Sequence, residues 1–149
     1  MYRHILIATD GSKLAAKGVR MGVGLAKALR AKITGIIVVE PFVPPMYIER
    51  ESFSIQGRSR KGYLKFVEKE AKKALDAIAR AARAAGVNCV TRSLTDERPW
   101  HGILRVARAR RCDAIVMASH GRSAVGGLIL GSETSRVLAH SRIPVVVVR

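Results

Sequence analysis

The sequence predicts an α/β fold: a doubly wound, open, five-stranded parallel sheet with helices on both faces. Short apolar runs alternate with longer segments in which apolar residues recur at helical spacing. The short runs are apolar throughout, which is typical of strands covered on both faces. Right-handed crossovers between parallel strands then place helices over either face. With 149 residues, 48% of them hydrophobic, the chain 1–149 is expected to form one domain.

The alternation can be followed along the chain. A strand is expected in "HILIATD", a helix within residues 11–31 and a second strand in "KITGIIVVEP". Residues 40–58 contain three of the five prolines and show no clear period, so we expect a long loop there. The later elements are a helix within 59–86, a strand in "VNCVTRSL", a helix within 99–111, a strand in "CDAIVMAS", a helix at about 131–141 and a strand in "VVVV".

Net charge is the unusual feature of the composition. The chain has 27 Lys and Arg against 11 Asp and Glu, a formal charge of +16, and residues 58–111 carry fifteen of the basic residues and five of the acidic ones. Such a run is most often a solvated helical face. It also fits weak, nonspecific, salt-sensitive binding to nucleic acid, or binding to acidic proteins. Aromatic residues make up only 5% of the chain and do not interleave with the charge, which argues against base stacking.

Composition also bears on location. No apolar run approaches the roughly eighteen residues that a membrane-spanning helix needs, and the start "MYRHILIATDG" lacks the long apolar stretch of a secretory signal. We therefore expect a cytoplasmic protein with no membrane span. Cys89 and Cys112 fit neither a disulfide framework nor a metal-ligand spacing, and both are expected to be buried thiols.

A segment rich in glycine and hydroxyl side chains, "SHGRSAVGGLILGSETS", follows the predicted fourth strand. Glycine lets backbone N–H groups approach a ligand closely, and a helix N-terminus suits an anion such as phosphate. The residues concerned are Gly121, Gly126 and Gly127 in the loop, and Gly131, Ser132 and Thr134 at the start of the last helix. The pattern predicts a phosphate cradle at the carboxyl ends of the strands, where such folds bind ligands. A flexible loop followed by a serine cap is the alternative.

The same residues resemble a known family. The C-terminal stretch "MASHGRSAVGGLILGSETSRVLAHSRIPVVVVR" is similar to the signature of the universal stress protein family, and the likeness extends to "HILIATDGS", "GIIVVEP" and "ILRVARARRCDAIVMASHG". It covers nearly the whole chain. Nucleotide-binding members show the pattern G-x2-G-x9-G-[S/T]. Here Gly121, Gly131 and Ser132 match its second half, and Ala118 stands where the first glycine would be.

The resemblance implies a Rossmann-like fold and ATP as the ligand, with Mg²⁺ as a companion that Asp10 would hold. It implies that Ala8, Thr9, Asp10 and Val39 border adenine and ribose, that Met117 lies beneath the base, and that Gly121, Arg122, Gly131, Ser132 and Glu133 line the phosphates, with Ala118, His120 and Thr134 in the same segment. For Asp10 the alternative is structural, because "TDGS" also suits a turn and a helix start.

Three functions stay open from the sequence. The first is a nucleotide-binding stress-response regulator that acts by binding and by conformational or partner signalling. The second is a basic module that binds polyanions or acidic proteins without ATP, and the third is a slow ATPase. No catalytic residue can be assigned, because His120 has no positioned nucleophile or acidic partner in the sequence pattern. A homodimer through the last strand, Val145–Val148, is implied by the family and by the open edge that this strand would present.

Overall fold

The computed structural model describes residues 1–43, 60–121 and 130–149. Strands and helices alternate in these residues, as the sequence predicts. In chain order they are β1 (His4–Ala8), α1 (Lys13–Leu29), β2 (Lys32–Val39), α2 (Arg60–Ala84), β3 (Cys89–Thr95), α3 (Pro99–Ala109), β4 (Ala114–Ala118), α4 (Ser132–His140) and β5 (Val145–Val148). No helix in the described ranges is long and apolar enough to cross a membrane. Of the long loop expected at 40–58, only residues 40–43 are described, and they form neither helix nor strand.

The five strands are parallel and lie in the order β3-β2-β1-β4-β5. Strands β2 and β3 are added in turn on one side of β1, and β4 and β5 are added on its other side. Helices α1 and α2 pack on one face of the sheet, and α3 and α4 pack on the other. The predicted doubly wound fold is therefore confirmed. Strand order reverses between β1 and β4, and folds of this kind bind ligands beyond the carboxyl ends of two such strands.

Strand β1 is the centre of the core. Ile5, Leu6 and Ile7 have no exposed surface. Because successive side chains of a strand point to opposite faces, Ile5 and Ile7 pack with α1 and α2, whereas Leu6 packs with α3 and α4. A Cβ on Gly22 of α1 would fall 2.7 Å from Ile7 Cδ1. The missing side chain at Gly22 thus allows α1 to lie directly against β1.

Burial at the edge of the sheet differs from the sequence expectation. β3 is mostly exposed, with Val90 48% exposed, because it is an edge strand with β2 on one side only. Both cysteines are free, but only Cys112 is buried, while Cys89 is half-buried. Burial raises the pKa of the Cys112 thiol to about 11. This thiol therefore stays protonated and unreactive at neutral pH.

Two arginines close helices in the left-handed conformation. Arg30, at the end of α1, has a φ of 55°, and Arg111, just beyond α3, has a φ of 53°. The N–H of Arg111 donates to Arg108 O at 3.0 Å. The next N–H, that of Cys112, donates to Ala107 O at 2.8 Å. This hydrogen-bond pattern favours glycine at the left-handed position, and a residue with a side chain costs roughly 1–2 kcal/mol there.

We expect Arg111→Gly to raise the free energy of unfolding by about 1 kcal/mol, because glycine relieves the left-handed strain. Urea denaturation measures the change. Arg108→Gly is the matched control: it removes the same side chain inside α3, where glycine costs up to about 1 kcal/mol. A loss of stability in both variants would contradict the assignment of strain to Arg111.

Candidate functional site

The carboxyl ends of β1 and β4 lie side by side at the centre of the sheet. The two strands pair in parallel, with Ile7 opposite Val116. Asp10, which follows β1, therefore meets Gly121, which follows β4. A Cβ on Gly121 would lie 2.5 Å from Asp10 Oδ2, so a side chain at 121 would displace the carboxylate. The structure thus brings together a carboxylate and a bare backbone that the sequence places at opposite ends of the chain.

Asp10 also organises the turn into α1. Its Oδ1 accepts from the N–H of Ser12 at 2.9 Å, and Thr9 Oγ1 accepts from the N–H of Gly11 at 3.1 Å. Ser12 then caps α1, since its Oγ accepts from the N–H of Ala15 at 3.1 Å. The turn-and-cap interpretation of "TDGS" is therefore confirmed. It uses Asp10 Oδ1, while Oδ2 is the oxygen nearest Gly121.

The start of α4 is fastened to the end of β4. The N–H of Gly131, the residue before α4, donates to Ser119 O at 2.7 Å. A Cβ on Gly131 would lie 3.1 Å from His120 Cα, closer than side chains ordinarily approach. The first turn of α4 is therefore held next to the turn that carries Gly121. Ser132, the first residue of the helix, is exposed.

The side chains of Glu133 and Thr134 hold this arrangement together. Thr134 is 3% exposed, and its Oγ1 donates to Ala118 O at 2.9 Å. Glu133 Oε2 accepts from the backbone N–H of Trp100, in the first turn of α3, at 2.7 Å. Its other oxygen, Oε1, accepts from Arg136 at 3.0 Å. Since both side chains are engaged elsewhere, these two residues can offer a ligand only their backbone N–H groups.

Ala118, where the family pattern has its first glycine, has ordinary strand geometry. It ends β4, pairs with Val148 and is 8% exposed. Among the described non-glycine residues only Arg30 and Arg111 have a positive φ. A Cβ on Gly18 of α1 would meet Ala118 N at 3.5 Å, an ordinary contact. Alanine therefore fits this position without backbone strain.

Ser119 links the end of β4 to β5 and to the start of α4, a role that the sequence pattern did not indicate. Its N–H donates to Val148 O at 2.8 Å, its carbonyl accepts from Gly131, and its Oγ lies 3.1 Å from His120 Nδ1. It is 1% exposed. One more serine in a segment rich in serine and glycine carries no signal of its own, so only the fold reveals this role. The contact with Ser119 holds the His120 imidazole on the turn after β4.

The remaining predicted residues lie around the same strand ends. Ala8 and Met117, at the ends of β1 and β4, are 7% and 6% exposed. Both pack in the apolar cluster shared with α3 and α4. Val39, which ends β2, is half-buried. Arg122, together with Gly126 and Gly127, lies outside the described residues.

The fold and the arrangement at the strand ends define a Rossmann-like α/β protein of the adenine nucleotide alpha hydrolase-like class. The family model described as "Universal stress protein family" matches residues 1–149. This chain belongs to the universal stress protein family, which confirms the resemblance found in the sequence.

Individual relatives agree with this assignment. A universal stress protein of Thermus aquaticus is 30% identical over 149 residues, covering 100% of both chains. Among solved structures, universal stress protein UspA from Lactobacillus plantarum has the same fold, with a TM-score of 0.77 and 24% identity over 99% of this chain and 98% of that one.

Two further structures of this fold contain a nucleotide. One is a universal stress protein in complex with cAMP, with a TM-score of 0.68 and 22% identity over 99% of this chain and 97% of that one. The other is the universal stress protein from Archaeoglobus fulgidus in complex with dAMP, with a TM-score of 0.70 and 19% identity over 99% of this chain and 98% of that one.

We expect Thr134→Val to lower the free energy of unfolding by about 1–2 kcal/mol, because it removes a buried hydrogen bond to Ala118 O without changing the side-chain volume. Urea denaturation measures the loss. Ser135→Ala is the control: its hydroxyl also donates to a backbone carbonyl, that of Gly131 at 3.0 Å, but on the exposed face. Its loss should stay below about 0.5 kcal/mol. Equal losses would contradict a special role for Thr134 in seating α4.

Proposed function

We propose that this protein binds ATP at the carboxyl ends of β1 and β4 and works as a regulator through binding rather than turnover. One observation carries the proposal: Gly121 lies against Asp10, and the start of α4 is bonded to the same turn through Ser119. Bare backbone, a carboxylate and a helix N-terminus therefore meet at the strand-order reversal. The cAMP and dAMP complexes of relatives support an adenine nucleotide as the ligand class.

The phosphates would lie at the start of α4. Gly131 caps this helix without a side-chain hydrogen bond, so the first N–H groups face no competing capping side chain. Ser132 adds an exposed hydroxyl, and the positive end of the helix dipole favours the negative charge. Arg122 remains a sequence-based candidate for a direct ion pair with a phosphate.

The nucleoside would lie on the β1 and β2 side. Val39, which ends β2, is half-buried and its side chain packs with Ile37 on the α2 face of the sheet, whereas Ala8 and Met117 pack on the α3 and α4 face. The adenine ring would lie over these strand ends, where Asp10 can accept hydrogen bonds from ribose hydroxyls. Thr9 and Gly11 shape the turn that presents this carboxylate.

Asp10 also suits Mg²⁺. Among the described residues, no group of three or more His, Cys, Asp or Glu side chains could hold a metal ion. Mg²⁺ commonly binds through one or two carboxylates together with substrate phosphates and water, and one carboxylate is what this site offers. When bound, the ion would neutralise phosphate charge, and Asp10 would orient it.

The way α4 is held supports regulation by binding. The turn proposed to bind phosphate is the one whose Glu133 carboxylate accepts from the Trp100 N–H at the start of α3. A ligand on that turn therefore acts on a segment that also fixes α3. Trp100 itself stacks on His140, with 4.5 Å between ring centroids, and Arg98 lies 5.6 Å above its ring. We propose that nucleotide occupancy is passed to a partner through this α3–α4 surface.

Titration calorimetry with Mg²⁺-ATP tests the binding site. We expect the unmodified protein to bind and Gly121→Ala to weaken binding at least tenfold, because the new methyl group would displace the Asp10 carboxylate. Gly24→Ala is the matched control. It makes the same change on α1, where a Cβ meets nothing within 4 Å, and should leave affinity within twofold. No binding by the unmodified protein at millimolar ATP, or equal loss in the two variants, would contradict the proposal.

We also propose a homodimer through β5. Pro144 O accepts from Ile115 N at 2.9 Å and Val148 O accepts from Ser119 N at 2.8 Å. Because backbone groups of successive strand residues point to opposite sides, those of Val145 and Val147 point away from β4. They form an open edge that a second copy can pair with.

Sedimentation velocity tests this pairing. Val147→Pro removes one outward N–H without touching the hydrogen bonds to β4, and should convert the dimer to a monomer. Val147→Ala keeps the N–H and should remain dimeric. A monomeric unmodified protein, or a dimeric proline variant, would count against pairing through β5.

A further inference from the structure

The amino end of the sheet, opposite the candidate nucleotide site, is strongly basic. It is formed by the segments that enter the five strands, residues 1–3, 30–32, 86–88, 110–113 and 141–144. These segments contain Arg3, Arg30, Lys32, Arg110, Arg111 and Arg142, and a single acidic residue, Asp113. Only Arg110 and Arg111 of this group belong to residues 58–111, the range with the highest charge in the sequence. The fold places the other four basic residues beside them.

Among the residues that the structure describes, Asp113 forms no salt bridge with these side chains. Its Oδ2 accepts from the backbone N–H of Arg3 at 2.8 Å, and its Oδ1 accepts from the backbone N–H of His4 at 3.1 Å. In the described part of the chain, the salt bridges lie elsewhere, on α2 and around the starts of α3 and α4. The basic side chains at the amino end can therefore form ion pairs with a bound anion.

A cavity of about 300 Å³ opens within this basic end. It lies between the C-terminal ends of α1 and α2 and the starts of β2 and β3. Lys27, Arg30 and Lys32 line it together with Asn88, and no acidic residue is among its lining residues. The remaining lining residues are small or apolar, so the residues that line the cavity carry three positive charges and no negative one.

The helix ends beside the cavity do not consume these charges. Cations often stabilise helix C-termini by binding their last carbonyls. Here backbone groups do so: Arg30 N donates to Lys27 O at 3.2 Å, and Ala31 N donates to Ala26 O at 2.8 Å. At the end of α2, Val87 N donates to Ala82 O at 2.9 Å. The Lys27 and Arg30 side chains are thus not needed to cap these carbonyls, although their charges also offset the negative ends of the two helix dipoles.

The charge of Lys32 acts on a buried residue at the start of β1, His4. His4 is 7% exposed and its Nε2 lies 2.8 Å from Thr34 Oγ1. Burial lowers the pKa of His4 and the charge of Lys32 lowers it further, while a backbone hydrogen bond and the charge of Asp113 raise it in part. The effect of Lys32 on His4 is thus larger than that of Asp113.

We infer that the cavity lined by Lys27, Arg30 and Lys32 is a second anion site, which takes a small oligophosphate such as pyrophosphate or tripolyphosphate. Three cations call for a ligand of three or more negative charges in a compact volume, which linked phosphates provide. The guanidinium can bind two phosphate oxygens at once, while the lysines act as point charges. The site lies one strand length, roughly 16 Å, from the carboxyl ends, and does not depend on the proposed ATP binding.

Calorimetric titration with tripolyphosphate at low salt tests the site. The triple variant Lys27→Gln, Arg30→Gln and Lys32→Gln should lose affinity at least tenfold. The matched control removes three exposed lysines of α2, as Lys61→Gln, Lys65→Gln and Lys73→Gln, and should stay within twofold. Thermal unfolding checks that both variants fold. If the triple variant does not fold, Lys27→Gln alone should cost about threefold.

Two further measurements distinguish this cavity from other places where an anion could bind. Gly121→Ala disturbs the proposed ATP site, which would also accept a phosphate chain, so the titration is repeated in this variant: the binding that the Lys27, Arg30 and Lys32 triple variant removes should persist in it. A single-stranded oligonucleotide bound in the same cavity should be displaced by tripolyphosphate, and one bound on α2 should not. Equal losses in the two triple variants, or loss in Gly121→Ala of the binding that the first triple variant removes, would each overturn the inference. Failure of ATP to bind while tripolyphosphate still binds would reject the proposed function and leave this site standing.

Discussion

The parallel pairing of β1 with β4 is the constraint on which the rest of the structure depends. Ile5 and Ile7 are fully buried in this pairing and face α1 and α2, while Leu6 anchors the opposite layer. Because the two strands end at the same edge, Asp10 and Gly121 are forced together. The position of the candidate nucleotide site follows from that juxtaposition.

The first turn of α4 is held against the ends of the central strands and against α3. It is bonded to β4 through Ser119 and Thr134, and to α3 through the Glu133 carboxylate. These bonds explain why two side chains in the glycine-rich segment face the protein instead of the cleft. They also support the proposed regulation, since the turn that would offer N–H groups to a ligand is the turn that fixes α3.

The two ends of the parallel sheet differ in charge. At the carboxyl end the described segments contain four acidic residues, Asp10, Glu40, Asp96 and Glu97, and two basic ones, Arg98 and Arg149, whereas the amino end has one acidic residue and six basic ones. A nucleotide at the acidic end needs backbone N–H groups, a helix dipole or a metal ion to offset its charge. An anion at the basic end would be held by side chains, whose charge must also offset the negative ends of the α1 and α2 dipoles. The two sites proposed here therefore rest on different chemistry.

The sequence by itself determined the order of strands and helices, the fold class and the family, because hydrophobic period and glycine spacing are local signals. It also marked Gly121, Gly131 and Ser132, whose pattern is continuous in the chain. Only the tertiary structure decided that Thr134 and Glu133 turn inward and that Ser119 links three elements. It alone placed Asn88 beside Lys27, Arg30 and Lys32, which are already neighbours in the chain. Those outcomes depend on contacts between residues far apart in sequence, and no local pattern encodes such contacts.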